Sequence, residues 1–308
     1  MVRPTYSFIT MNKAKKIVFC LVLIIYNDCF EVFSQANIKD GAKHSFYKVS
    51  YKNVEYDFLK ILRKDGKADS LQTKVDYFNC GLNNLSVSER FVKFKLRHPN
   101  IIGYCSGSYV DGSPGNWIPE GLSIDHGVVI NRNLVLSRLD ALVIVYPNGG
   151  MAVNNLDNNA VATSDGVFKI HNSDGRDKQS FIQWAQKNSA TVFQTHLLAY
   201  NNELTIKQNL NFDSKRDRLF LISGKDKLSE ETYLYLVRRI SQENLFEASR
   251  DLLDLFKSKN AEISWMINLE SGYHRCFNVY DQNGLTCKDL SERNSLDDAL
   301  NLLLFYYE

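Results

Sequence analysis

Ala141-Leu142-Val143-Ile144-Val145-Tyr146 is an unbroken apolar run, closed at once by Pro147-Asn148-Gly149-Gly150. Its brevity and the turn residues behind it make it a strand, and apolar residues at every position make it a central one. A second such run, Ile263 to Leu269, stops at Glu270-Ser271-Gly272 and is followed by Tyr273, His274 and Arg275. A buried strand that discharges a carboxylate, an imidazole and a guanidinium within six residues is either solvating a turn or presenting a site.

The rest of the first half has the same strand texture. Phe46 to Tyr51 alternates, as does Val54 to Phe58, which runs on towards Leu62, and Phe91 to Leu96 reads as another strand. Gly103 to Gly121 is rich in turn residues. Leu122-Ser123-Ile124 and Val128-Val129-Ile130 flank Asp125-His126-Gly127, the pattern of a tight hairpin. Thr191 to Tyr200 and Arg218 to Ser223 add strands further on.

Helical spacing is concentrated in the second half. Lys178 to Lys187 sets Phe181, Ile182 and Ala185 on one face, and a second stripe runs through Leu245, Ala248, Leu252, Leu255 and Phe256. Ser229 predicts the cap of a helix through Tyr233, Leu236, Val237 and Ile240. Ser295 predicts the cap of a C-terminal helix through Leu296, Leu300 and Leu303. The expected class is therefore α+β: a single domain with a mixed, largely antiparallel sheet and helices gathered in the C-terminal half. No internal repeat or linker divides the chain.

The first 36 residues read as a signal peptide. Asn12-Lys13-Ala14-Lys15-Lys16 precedes the apolar run Ile17 to Tyr26, and Ser34 and Ala36 are small residues at the expected cut. The apolar run is too short to span a bilayer stably, so an exported chain without a membrane span is expected from about Asn37. Four of the 37 basic residues and two of the 35 acidic ones precede the cut, leaving 33 of each. A neutral mature chain carries no nucleic-acid footprint. Cys80, Cys105, Cys276 and Cys287 remain after the cut. In an oxidising compartment they suggest pairs such as Cys276–Cys287 and Cys80–Cys105, with four isolated thiols as the alternative. No ligand spacing supports a metal site, and no cofactor is expected.

Several segments, in order, resemble the phosphodiester glycosidase family between Ile101 and Tyr280. They are Ser108-Tyr109-Val110-Asp111, Pro119-Glu120-Gly121-Leu122, Pro147-Asn148-Gly149, Phe193-Gln194-Thr195-His196, Arg218 with the strand behind it, and Asn268-Leu269-Glu270-Ser271-Gly272. The resemblance implies hydrolysis of a sugar from a glycosyl phosphodiester. Arg218 would clamp the phosphate, and Glu270 would serve as acid/base or nucleophile. His196 would move a proton, with Asp111, Asn148, Gln194, Thr195, Asn268 and His274 lining the substrate site. The implied partner is a phosphorylated or phosphodiester-linked glycan. The sequence departs from the family at Glu270, which stands for its Asp, at Ser271, which stands for a Gly, and at His196, which stands in place of Gly-Pro.

Each of these residues also has a plainer reading. Glu270 solvates a turn; Arg218 pairs with Asp213 or Asp217; His196 is a satisfied structural histidine; His274 is merely exposed. The alternative function is a non-catalytic glycan- or envelope-binding protein on the same scaffold.

Overall fold

The computed structural model describes residues 44–64, 72–79, 85–112, 117–170, 175–206, 216–272, 274–280, 286–289 and 296–308. The expected signal peptide, Asp213, Cys80 and the Cys287 side chain fall outside that set.

The chain runs β1 (His44–Tyr51), β2 (Val54–Lys64), β3 (Thr73–Asn79), α1 (Val87–Arg97), β4 (Ile101–Cys105), β5 (Val110–Asp111) and β6 (Ile118–Pro119). The hairpin β7 (Ser123–Asp125) and β8 (Val128–Asn131) follows, then β9 (Ala141–Val145), β10 (Met151–Asn155), β11 (Val161–Thr163), β12 (Gly166–Phe168) and α2 (Arg176–Lys187). Next come β13 (Thr191–Thr195), β14 (Leu197–Tyr200), β15 (Glu203–Leu204), β16 (Arg216–Asp226), β17 (Thr232–Glu243) and α3 (Leu245–Ser258). The chain closes with β18 (Ala261–Leu269), β19 (Phe277–Tyr280), β20 (Thr286–Asp289) and β21 (Asn301–Tyr307).

These strands form a seven-stranded sheet, β1-β2-β17-β16-β18-β14-β15, and two five-stranded sheets, β10-β9-β13-β7-β8 and β20-β19-β4-β21-β3. All three turn one face to a shared core. Leu59, Leu221 and Ile267 come from the first sheet, Val143 and Phe193 from the second, and Tyr77, Ile102 and Phe305 from the third. Each sheet's outer face carries its own helix: α3 on the seven-stranded sheet, α2 on the β9 sheet and α1 on the β4 sheet. Two-sided cover explains the unbroken apolar run of β9. Ala141, Val143 and Val145 point into the shared core, while Leu142 and Ile144 meet α2.

This architecture overturns the expected α+β class with helices gathered C-terminally. Among the described residues 51% are strand and 19% helix, and the three α-helices are spread along the chain, one to a sheet. Three elements account for the difference. The Phe91 to Leu96 segment is helix, because Ser86 and Glu89 close a capping box and Val87, Phe91 and Phe94 fall on one helical face. The segment expected to be a helix after Ser229 is a strand, and the one after Ser295, itself outside the described residues, is a short 3-10 turn (Leu296–Asp298) followed by a strand. In β17, Leu234 and Leu236 face the shared core while Tyr235 and Val237 face α3. In β21, Leu303 and Phe305 face inward while Leu302, Leu304 and Tyr306 face α1. Burial on both faces erases the alternation that marks a strand, so helical spacing fits such runs by accident. Cys105 and Cys276 are buried and neither is bridged to another described cysteine, while the partners expected for them, Cys80 and the Cys287 side chain, lie outside the described residues.

The predicted hairpin is present. His126 and Gly127 both have positive φ (49° and 81°), the geometry of a two-residue turn with the right-handed twist of the strands. Positive φ is uncommon outside glycine, though histidine is among the residues that adopt it, and two carboxylates hold His126 there. Its Nδ1 lies 2.6 Å from Asp125 and its Nε2 3.0 Å from Asp76. The hydrogen bond to Asp125, then that to Asp76, raises its pKa from 6.5 to about 10. A raised folded-state value stabilises fully below the unfolded value and is lost as pH climbs through the folded one. The protein should therefore lose stability between pH 6.5 and about 10, whereas His126→Asn, which suits the same turn without the charge, should lack that fall in pH-dependent melting.

Candidate active site

β4, β13 and β18 run out at one end of the core, where β16 begins. The register sets Leu219 opposite Leu269, and so places Arg218 opposite the position of Glu270. His196 is the corner at which the chain leaves β13 in one sheet and enters β14 in another. Backbone hydrogen bonds tie the strand ends together: Asn268 N donates to His196 O at 3.1 Å, and Glu270 N to Gly107 O at 3.0 Å.

Glu270 is 8% exposed, and its carboxylate accepts from Gly272 N. Burial raises its pKa, against the pull of its own turn's hydrogen bonds and of His274 and Arg216. Arg218 is also buried. Burial lowers its pKa to about 10, which leaves it cationic at neutral pH, and its Nε donates to Glu243 O at 3.3 Å. The expected pairing with Asp217 gives way to other partners: Asp217 meets Arg238 at 3.6 Å and Arg275 at 3.4 Å.

His196 is held as a neutral ring. Burial lowers its pKa to about 4, with Arg138 and Arg218 adding repulsion, and Nδ1 bonds the carbonyl of Arg138. Because a carbonyl only accepts, the proton sits on Nδ1 and the lone pair on Nε2.

Tyr109 joins these groups. Its ring stands 5.1 Å from that of His196, centroid to centroid. Its phenol is pushed up by burial and by Glu270, while Arg218 and Arg216 pull it down, so it lies within electrostatic reach of both sides of the cluster. Glu120 sits at the rim, in an ion pair with Arg138, its N donating to Tyr109 O at 2.8 Å. Burial raises the Glu120 carboxyl, opposed by Arg138 and reinforced by Asp111. Tyr109, Glu120, Arg138 and Arg216 were not singled out from the sequence. Tyr109 and Glu120 lie inside the family-like segments, which was the one signal available for them.

The other expected substrate residues separate into groups. His274 stays near Glu270, its Nδ1 2.8 Å from Asp298 O and its ring 5.0 Å from Trp117. Asp111 is exposed near Glu120. Thr195 is enclosed and donates to Asn268 O. Asn268 is itself enclosed beneath Glu270, and its amide has no hydrogen-bond partner among the described residues.

Gln194 is structural. Its amide accepts from Leu122 N (2.7 Å) and Val135 N (3.1 Å) and donates to Val135 O and Leu139 O (both 2.9 Å). It also explains Gly121, at φ 78°, where a Cβ would sit 2.6 Å from the Gln194 Oε1. Asn148 does not join the site. Because β9 and β13 are antiparallel with Thr195 opposite Ala141, Asn148, just beyond Val145, lies at the far end of that sheet. Among the described residues no group of His, Cys, Asp and Glu is placed to hold a metal, and no helix is long and apolar enough to cross a membrane.

No family model matches the chain, and no curated protein matches it. Among solved structures it is similar to the catalytic domain of zebrafish N-acetylglucosamine-1-phosphodiester alpha-N-acetylglucosaminidase, auto-inhibited by its pro-peptide. The identity is 15%, over 90% of this chain and 88% of that one, with a TM-score of 0.49. A hypothetical protein from Synechocystis aligns at 10% identity over 91% of this chain and 64% of that one, TM-score 0.48. A protein of Burkholderia pseudomallei described as exported aligns at 7% identity over 85% and 74%, TM-score 0.44. Likenesses at this level carry no statement about activity.

Proposed function

We propose that the protein is an exported hydrolase that releases a sugar from a glycosyl phosphodiester. The observation that carries this reading is the meeting of Arg218, His196, Tyr109 and Glu270 at one end of the core, each within electrostatic reach of another. Hydrolysis breaks the bond from the anomeric carbon to the phosphate oxygen, adds the hydroxyl of water to that carbon and leaves a phosphomonoester. A cationic, partly desolvated Arg218 suits the phosphate, because a guanidinium meets two of its oxygens at once. A carboxyl whose pKa burial raises suits proton donation to the departing oxygen. His196, neutral and with its lone pair on Nε2, suits acceptance of the water's proton.

One observation favours the second reading, a glycan-binding protein without turnover: the Glu270 carboxylate is already engaged with Gly272 N in its own turn. Incubation with methyl phosphodiesters of glucose, mannose and N-acetylglucosamine, followed by phosphorus NMR, separates the two. Release of methyl phosphate supports the hydrolase. Saturable binding with no release supports the binding protein, and neither signal removes both.

A further inference from the structure

A second group of charges lies where α1 and the two five-stranded sheets come together, and none of the residues around it belongs to the Glu270 cluster. There a half-open cavity of about 440 Å³ is lined by residues of β3, α1, the end of β21 and the turns after β7 and β9. The volume falls within the roughly 300–1,000 Å³ of sites that hold small organic molecules. Much of its lining is aromatic: Phe78, Phe94, Tyr146 and Tyr306, with the Phe94 and Tyr306 rings edge to face at 5.1 Å.

The charges around it do not cancel. Arg90 forks onto Asp125 at 2.6 and 3.1 Å, and His126 lies between Asp125 and Asp76, so these two cations meet two carboxylates. Glu308 lies 3.4 Å from His98, which is charged only if protonated; with that ring neutral the group carries one net positive charge, and with it protonated two. Lys93 and Arg97 remain. They stand four residues apart on α1, hence on one face, and both are exposed. No carboxylate pairs with either among the described residues. A cation in the last helical turn is explained by the helix dipole alone. Lys93 stands a turn earlier, and both it and Arg97 line the aromatic cavity.

We propose that this cavity binds a small organic anion, one phosphate or carboxylate carried on an aromatic ring. The anion lies between Lys93 and Arg97, and the ring packs against Phe94, Tyr146 and Tyr306. The site is independent of the hydrolase reading, since none of its residues touches that cluster.

The test is calorimetric titration of the full chain with phenyl phosphate and with benzoate, using inorganic phosphate and phenol as controls. At least one ring anion should bind saturably at one site, and each control about tenfold more weakly or not at all. Tighter phenyl phosphate identifies a phosphate ester as the ligand class, and tighter benzoate a carboxylate. Lys93→Gln with Arg97→Gln should weaken the ring anion about tenfold, while Lys93→Arg with Arg97→Lys and, separately, Glu270→Gln should leave it unchanged. Absence of saturation for both ring anions up to about 10 mM overturns the proposal, as does equal binding by the charge-neutral double variant.

Discussion

Glu270→Gln is expected to lower the rate of glycosyl phosphodiester hydrolysis by about 10²- to 10⁴-fold, the range of a positioned acid or base, with the fold intact. The change is nearly isosteric, and the glutamine carbonyl can still accept from Gly272 N as the carboxylate does. It introduces no buried charge. Burial already raises the Glu270 pKa, so a neutral amide suits the site at least as well as an ionised carboxylate. Turnover and melting temperature should therefore separate: one collapses while the other holds. The same raised pKa gives the wild-type rate a sign with pH. Activity that needs the protonated carboxyl declines as pH rises through its elevated value, while His196, at about 4, stays neutral throughout that range. An undiminished rate in Glu270→Gln removes the residue from the mechanism.

Asp125→Ala is expected to cost about 3–5 kcal/mol, because it leaves the Arg90 guanidinium, only 14% exposed, without its counter-ion. Asp125 has no exposed surface. Its carboxylate receives both terminal nitrogens of Arg90 at 2.6 and 3.1 Å, His126 Nδ1 at 2.6 Å and the backbone N of Asn79 at 2.8 Å. Burial alone would raise its pKa, yet the hydrogen bonds from His126 and Arg90 outweigh it and hold the carboxyl below its ordinary value. A lowered folded-state value stabilises above the unfolded one and is lost as pH falls through it, so this cluster weakens in acid at Asp125 and in alkali at His126. For a chain of this size the loss corresponds to a fall of about 10 °C in melting temperature. A loss below about 1 kcal/mol at neutral pH, the scale of an exposed ion pair, means the network holds nothing together.

What could be read from the sequence divides along burial. The β9 run, the β18 run, the Asp125-His126-Gly127 hairpin and the helices α2 and α3 were legible, because each had either clear boundary residues or one wet face. β17 and β21 were not. Each lies between the shared core and an outer helix, so both faces are apolar and periodicity favours no element. In α1 the alternation Val92-Lys93-Phe94-Lys95-Leu96 suggested a strand, while the decisive signal, Ser86 with Glu89 three residues on, was a cap.

The same division holds for the candidate site. His196, Arg218 and Glu270 were named from a family-like order of segments, and the fold sets them at one end because three sheets terminate there. Asn148 sits in an equally family-like segment, but antiparallel pairing carries it to the other end. Gln194 shows that a polar residue in such a segment can be fully consumed by backbone partners, which only coordinates reveal. The Asp76–His126–Asp125–Arg90 network joins three separate parts of the chain, so no local pattern announces it.

A crystal structure with glucose 1-phosphate soaked in tests whether these side chains serve one ligand. The phosphate should lie within hydrogen-bond distance of the Arg218 guanidinium, with the sugar ring between Glu270 and His196. A sugar phosphate held at any other place on the molecule, with those three side chains untouched, contradicts a shared catalytic cleft.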